Sequence, residues 1–462
     1  MVLVVTDAQP SFTHAGAGTP AAAWRAHPRW HDGEPLTLDG VRRLVVVAAH
    51  PDDESLGAGG LVASAVAARI PVHLVVATAG EGSHPDSPTH TPADLSQRRT
   101  AEAAAATAAL GLDPTTHLRL LDLPDGGVAD HVADLTTAVV DVTGDGRGTV
   151  VVAPWRQDGH PDHEAAGVAA AAAARRTGAD LWEFPVWFWH WSDPAEAPWP
   201  VLRPFALEPS AAERKRVAIG THASQVAPLS PEPGDQPVLP PSLLAHFSGH
   251  RETFLRTPSR DCPDDALDRL HQDSDDPWGT EVRWYERRKR DLVLSMLPWV
   301  RFERALELGC SAGALAEALA RRCRQVVAVD SSPAALDLAR QRFADVAHVS
   351  VRGHDVPWEW PDAEPGGFDL VVVSEVGYFL SPAALDALVD RVREALTDDG
   401  VLVLCHWRHP VEGWVLDARD VHDRFAAASG RPVAATYTDR DVEVHVLCPP
   451  ESWPDPSGGF GE

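Results

Sequence analysis

The stretch LVVVAAHPDDESLGAGG, Leu44 to Gly60, decides the fold of the first half of the chain. Its first six residues are continuously apolar and rich in valine, the pattern of a strand buried on both faces. Polar residues follow at once, and then small residues that predict a helix up to Arg69. Outward from there the alternation recurs. VHLVVAT (Val72–Thr78), Leu118–Leu121 and Val150–Ala153 predict strands. Ala-rich stretches at Arg98–Leu110 and His163–Arg176 predict helices, the first closed by Gly111. Such βαβα alternation predicts a parallel sheet with helices on both faces.

A second α/β pattern starts near Trp278. WYERRKRDLVLSMLP predicts an amphipathic helix. ALEL (Ala305–Leu308), VVAVD (Val326–Asp330), FDLVVVS (Phe368–Ser374) and VLVLC (Val401–Cys405) predict buried strands. The fold class is therefore α/β: two Rossmann-like three-layer αβα domains with mostly parallel sheets, at residues 41–256 and 276–448. Residues 1–40 read as an extension, the polar stretch 257–275 as a linker, and the Gly- and Pro-rich residues 449–462 as a disordered tail.

A length of 462 residues suits two or three domains. The formal charge of −27 argues against nucleic acid and anionic membranes as partners. The five cysteines form no CxxC pair, which argues against a disulfide framework or a thiolate zinc site. No basic and apolar leader and no run of eighteen apolar residues occur, so a cytoplasmic protein is expected.

Ligands of open α/β sheets bind at the carboxyl ends of strands. AHPDDE (Ala49–Glu54) occupies that place after the first strand, and GHPDHE (Gly159–Glu164) after the strand VVVAP. A hydrolytic zinc site needs about three protein ligands, a base for the attacking water and a donor for the developing oxyanion. His50, Asp52, Asp53, His160, Asp162 and His163 supply these residue types. One of the adjacent aspartates can bind metal while the other serves as base. One of the two histidines can bind metal while the other faces the substrate.

AHPDDE with a later HPDH resembles the PIG-L or LmbE-like N-acetylglucosaminyl deacetylases over roughly residues 42–255. The resemblance implies Zn2+, or another divalent metal, on His50, Asp53 and His163. It further implies Asp52 as general base, His160 as transition-state stabiliser, and a glycoside or aminosugar as small-molecule substrate. Arg99 and Glu102 in RRTAE, Asp125 in LPDGG, and His222 and Gln225 in THASQ resemble further family elements, with Arg99 and Asp125 as substrate-binding candidates. The aromatic stretch WEFPVWFWHW reads as a stacking surface for a sugar or as core.

In the second half, ELGCSAG (Glu307–Gly313) ends a strand and opens a helix, and Asp330 ends the next strand. Glycine permits a tight turn and close backbone approach, and a strand-end acid can accept ribose hydroxyls. Asp355 follows a third strand, VSVRGHD, and Ser374, Glu375 and Tyr378 follow a fourth. The pattern resembles a class I methyltransferase using S-adenosylmethionine, with Glu307, Gly309, Gly313, Asp330, Asp355 and Ser374 as cofactor-binding candidates. Ser311 departs from it by replacing the usual middle glycine. Residues 275–448 more closely resemble nodulation protein S, a family that N-methylates a glucosaminyl amine. That resemblance implies that Trp284, Tyr285 and Arg288 cover cofactor or substrate, although the two aromatics read equally as core. Glu375 and Tyr378 are candidates for orienting the acceptor. Deacetylation followed by methylation of the freed amine is the order the fusion suggests. Methyl transfer to oxygen, or a half that binds without turnover, are the alternatives.

Overall fold

The computed structural model describes residue 16, residues 18–361 and residues 367–453. The chain forms two compact units that divide between residues 263 and 264, the short segment 176–178 grouping with the second. The first holds β1 (Arg43–Ala48), β2 (Val72–Thr78), β3 (Leu118–Leu123), β4 (Thr149–Pro154), β5 (Asp180–Phe184), β6 (Leu202–Ala206) and β7 (Arg251–Thr257). The second holds β8 (Phe302–Leu308), β9 (Cys323–Asp330), β10 (Val349–Gly353), β11 (Phe368–Ser374), β12 (Leu396–Trp407), β13 (Val433–Thr438) and β14 (Val442–Leu447).

Their orders are β3-β2-β1-β4-β5-β7-β6 and β10-β9-β8-β11-β12-β14-β13. Renumbered within its own sheet, the second order is identical to the first. In each sheet only the seventh strand runs antiparallel, inserted between the fifth and sixth. Both sheets thus reverse direction between their first and fourth strands, where a crevice opens at the carboxyl ends. β1 pairs with β2 and β4 and is buried along nearly its whole length, as its unbroken apolar sequence requires. No described helix is long and apolar enough to cross a membrane.

Three stretches differ from expectation. The extension carries a helix, Ala21–Ala26, whose Trp24 is 0% exposed and donates its indole N–H to the Trp189 carbonyl at 2.9 Å. The aromatic stretch is core, not a stacking surface: Trp182, Phe184, Trp187 and Trp189 are buried in one cluster with Trp24. The linker contains a helix, Ala266–Asp273, fixed to the second unit by Asp268, which accepts from Ser332 Oγ at 2.5 Å. From residue 454 on, the expected tail lies outside the described residues.

Two candidate active sites

In the first unit the carboxyl end of β1 runs directly into the helix Asp53–Ala67. Asp52 makes that turn at φ 143°, a conformation that side chains rarely adopt and that concentrates at functional sites. His50, Asp52, Asp53 and His163 are buried. One donor atom from each of His50, Asp53 and His163 lies within 4.8 Å of the other two. His163 Nδ1 is held by Asp158 Oδ2 at 2.7 Å, which turns Nε2 toward Asp53 Oδ1, 3.1 Å away. That Nε2 is buried and lacks a hydrogen-bond partner. His50 Nε2 lies 3.2 Å from both Asp125 Oδ1 and Asp162 Oδ2.

The electrostatics favour a cation. Burial alone would lower the proton affinity of His163, but Asp53 and Asp158 raise its pKa to about 9. Burial likewise opposes protonation of His50, yet Asp125, Asp162 and Asp53 hold its pKa well above the histidine range. Protons and divalent metals compete for the same nitrogen lone pairs, so a site that draws protons this strongly suits a metal. Two imidazoles and a carboxylate are a zinc-type set, and Asp158 adds the carboxylate–histidine support typical behind a ligand. The residues fit a divalent ion.

Burial pushes the Asp52 carboxyl up to about 6, against the Arg99 guanidinium at 3.3 Å. Arg99 also donates to the carbonyls of Gly80 and Pro51, so it braces the turn that carries Asp52. Burial, with His163 and His50 adding, lowers His160 to about 2, leaving a neutral ring. The Asp162 N–H donates to His160 Nδ1 at 3.2 Å, which places the ring proton on Nε2 and makes that atom a donor.

Asp125 joins the centre through His50 and accepts from the Gly82 N–H at 2.7 Å. Glu102 and His222 play supporting parts. Glu102 accepts from Ser224 N and Oγ, and His222 meets Ser55 Oγ at 3.1 Å. Gln225 donates to Ser224 Oγ. Sequence reading missed Asp158, which accepts the N–H groups of Val186, Trp187 and Phe188 at 2.7–3.0 Å. The aromatic stretch thus fixes Asp158 through its backbone. The available signal was chemical, since a metal-binding histidine usually leans on a carboxylate nearby.

In the second unit Glu307, next to last in β8, is buried, with Oε2 lacking a hydrogen-bond partner. Burial, aided by the Asp330 charge, pushes its carboxyl well up. The loop after it turns at Gly309 (φ 74°), Ser311 (φ 49°) and Gly313 (φ 86°). Ser311 therefore adopts the left-handed backbone for which glycine is usual. Asp330, at the end of β9, accepts the Ser311 N–H at 2.8 Å and the Ser332 N–H at 2.9 Å. His271, in the stretch expected to be a linker, meets Ser311 Oγ at 3.2 Å, so that helix covers the glycine loop. An unpartnered buried carboxyl oxygen beside such a loop fits a cofactor bearing amino and hydroxyl groups.

Asp355 follows β10 by two residues, and Ser374 is the last residue of β11. Glu375 (φ 59°) accepts the Tyr378 hydroxyl, and Tyr285 lies half-buried nearby, its ring 5.3 Å from Lys289 Nζ. Two candidates fall outside this group. Trp284 is 69% exposed, and Arg288 pairs instead with Asp439 at 2.7 Å and with Tyr437.

Two family models match the chain: GlcNAc-PI de-N-acetylase over residues 45–174 and nodulation protein S over residues 260–415. Nodulation protein S of Rhizobium tropici is 38% identical over 178 residues, covering 38% of this chain and 69% of that protein. The 1D-myo-inositol 2-acetamido-2-deoxy-alpha-D-glucopyranoside deacetylase of Mycobacteroides abscessus is 33% identical over 234 residues, covering 46% of this chain and 77% of that protein. The crystal structure of N-methyltransferase NodS from Bradyrhizobium japonicum with S-adenosyl-L-homocysteine is 26% identical, with a TM-score of 0.36, and covers 40% of this chain and 97% of that one.

Proposed function

From a chain that belongs to the GlcNAc-PI de-N-acetylase family in its first half and to the nodulation protein S family in its second, we propose a two-step enzyme. The first half removes the acetyl group from an N-acetylglucosaminyl-type substrate, and the second methylates the liberated amine. The observation that carries the first step is the convergence of His50, Asp53 and His163 beside the carboxylate of Asp52.

His50, Asp53 and His163 would hold zinc or a similar divalent ion, which supplies Lewis-acid polarisation of the amide carbonyl and the attacking water. Asp52, raised toward neutrality and braced by Arg99, takes the proton of that water. The neutral His160 donates from Nε2 to the oxyanion as the carbonyl carbon becomes tetrahedral. Asp125 and Arg99 border the site and are candidates for contacting the sugar.

In the second half Glu307, Asp330, Asp355 and Ser374 would hold S-adenosylmethionine over the turn of Gly309 and Gly313, and the cofactor supplies an electrophilic methyl group. The residues around Glu375 position the acceptor. An amide nitrogen shares its lone pair with the carbonyl, whereas a neutral amine keeps its own, so deacetylation must come first.

Mass analysis of an acetylated glucosaminide incubated with the full chain tests this. Loss of acetyl without S-adenosylmethionine, and methyl gain at nitrogen only after that loss, are expected. Methyl gain on the intact amide, or at a hydroxyl, would overturn the order.

A further inference from the structure

The helix Trp284–Met296 brings two charged residues, Glu286 and Lys289, to the loop that follows β11. Lys289 Nζ lies 2.8 Å from Glu286 Oε2 and 3.1 Å from Glu375 Oε1. The other oxygen of Glu375 accepts the Tyr378 hydroxyl. The Lys289 side chain is 11% exposed and Tyr378 is buried, while the Glu375 side chain keeps 25% exposure. The cluster is closed at the back: Glu375 Oε1 is itself buried and, beyond its ion pair with Lys289, lacks a hydrogen-bond partner, and the exposure of Glu375 lies on the rest of its side chain.

Its charge does not balance. Burial pushes the Tyr285 and Tyr378 hydroxyls and the Cys405 thiol up, so all three are neutral. Two carboxylates therefore share one ammonium. Among the described residues, no other cation lies within ion-pair distance of Glu286 or Glu375. A desolvated surplus charge is unfavourable until a counter-charge meets it. Glu375 also holds a left-handed backbone, which a β-carbon makes costly and which recurs where function requires it.

We propose that Glu286 and Glu375, bridged by Lys289, select the methyl acceptor by charge: the site draws in the amine as an ammonium, which gives one proton to the Glu375 carboxylate before its freed lone pair takes the methyl group, and it rejects the amide and the alcohol. The inference rests on the methyltransferase reading of this half and adds what chooses the substrate. Glu375 meets the incoming ammonium. Lys289 is a positioning residue that lies between the two like charges and keeps them together. Glu286 supplies the surplus: without it Lys289 and Glu375 form a neutral pair with nothing to offer a cation. Specificity then lies in the difference between a charged and an uncharged substituent.

The test is calorimetry on the full chain at neutral pH with S-adenosylhomocysteine present. Three probes are compared: methyl glucosaminide, its N-acetyl form and methyl glucoside. Wild type, Glu375→Gln and Glu286→Gln share the same first half, so any difference among them belongs to the second. Wild type should prefer the amine to the glucoside. That ratio should fall at least about tenfold in Glu375→Gln, the loss of a charge-assisted contact, and by less in Glu286→Gln. S-adenosylhomocysteine affinity should be the same in all three, which also reports folding. Wild type without amine preference, or a ratio unchanged in both variants, overturns the inference. Failure of wild type to bind S-adenosylhomocysteine would instead remove the methyltransferase reading beneath it.

Discussion

The two units share one strand order and one antiparallel strand but end their first strands in opposite ways. β1 delivers His50, Asp52 and Asp53 within four residues, whereas β8 delivers one buried acid and then a glycine-rich turn. A metal centre of the kind proposed needs several donors converging on a point, and here His50, Asp53 and His163 converge and are buried. A nucleoside cofactor is an extended object that needs backbone room, and the acids proposed to hold it, Glu307, Asp330 and Asp355, are spread over three strand ends beside a glycine-rich turn. Both solutions force a non-glycine residue into positive φ, at Asp52 and Ser311. The same scaffold thus carries two chemistries, and the strand-end sequence decides which.

If that division is right, each site breaks alone. The largest effect is expected from His163→Ala: wild type should hold about one divalent ion per chain, and the variant should lose it with all hydrolysis. Elemental analysis reads this, and equal metal content would sink the ligand set. Asp52→Asn should keep the metal and lose roughly 10²–10⁴-fold in deacetylation, as expected for a general base. Near-normal turnover would place the base elsewhere. Asp158→Ala should lower metal affinity by roughly 10–100-fold, because His163 loses the carboxylate that orients it. None of the three should change S-adenosylhomocysteine affinity. Conversely, Asp330→Ala should weaken that affinity by about tenfold, the scale of one hydrogen bond to a charged group, and leave metal content intact. Calorimetry that found Asp330→Ala silent would remove the ribose from that acid.

What the sequence made legible follows the same contrast. Central strands such as β1 and β11 announce themselves because both faces are buried, and Phe368–Ser374 agrees residue for residue. The strands beyond β4 in the first sheet (β5, β7, β6) and beyond β12 in the second (β14, β13) were not read. β6 contains Pro204, which an edge strand tolerates but which argues against a strand in a local pattern, and β13 is half exposed along its length. The candidate metal set, His50, Asp53 and His163, could be proposed from sequence because its residues are clustered in two short motifs. Asp158 was not, because its role depends on backbone N–H groups 28–30 residues away. Trp24 was hidden for a like reason: its partners Trp189 and Trp199 lie far along the chain. The helix Ala266–Asp273 sits in a polar, acidic stretch whose composition suggests a linker, and only its contacts with Ser311 and Ser332 show otherwise.

The smallest effect is expected where resemblance and geometry part company. The family likeness implies that Trp284 covers cofactor or substrate, yet its ring is 69% exposed at the first position of its helix. Tyr285, the next residue, instead packs against the core and places its hydroxyl 3.4 Å from the Asp441 carbonyl. Adjacent helical positions point about 100° apart, so only one of the two can turn inward. Replacing an exposed side chain away from caps and ion pairs shifts stability by no more than about 0.5 kcal/mol. Trp284→Ala should therefore leave S-adenosylhomocysteine affinity within about twofold of wild type and the thermal midpoint nearly unchanged. Tyr285→Ala should lower the midpoint clearly, because it removes a ring from the core and from beneath Lys289. Should Trp284→Ala cost tenfold in affinity with its midpoint unmoved, the first turn of that helix must close over the bound cofactor. The second site would then rely on a covering side chain as well as on backbone room, and the contrast with the first site would narrow by that one residue.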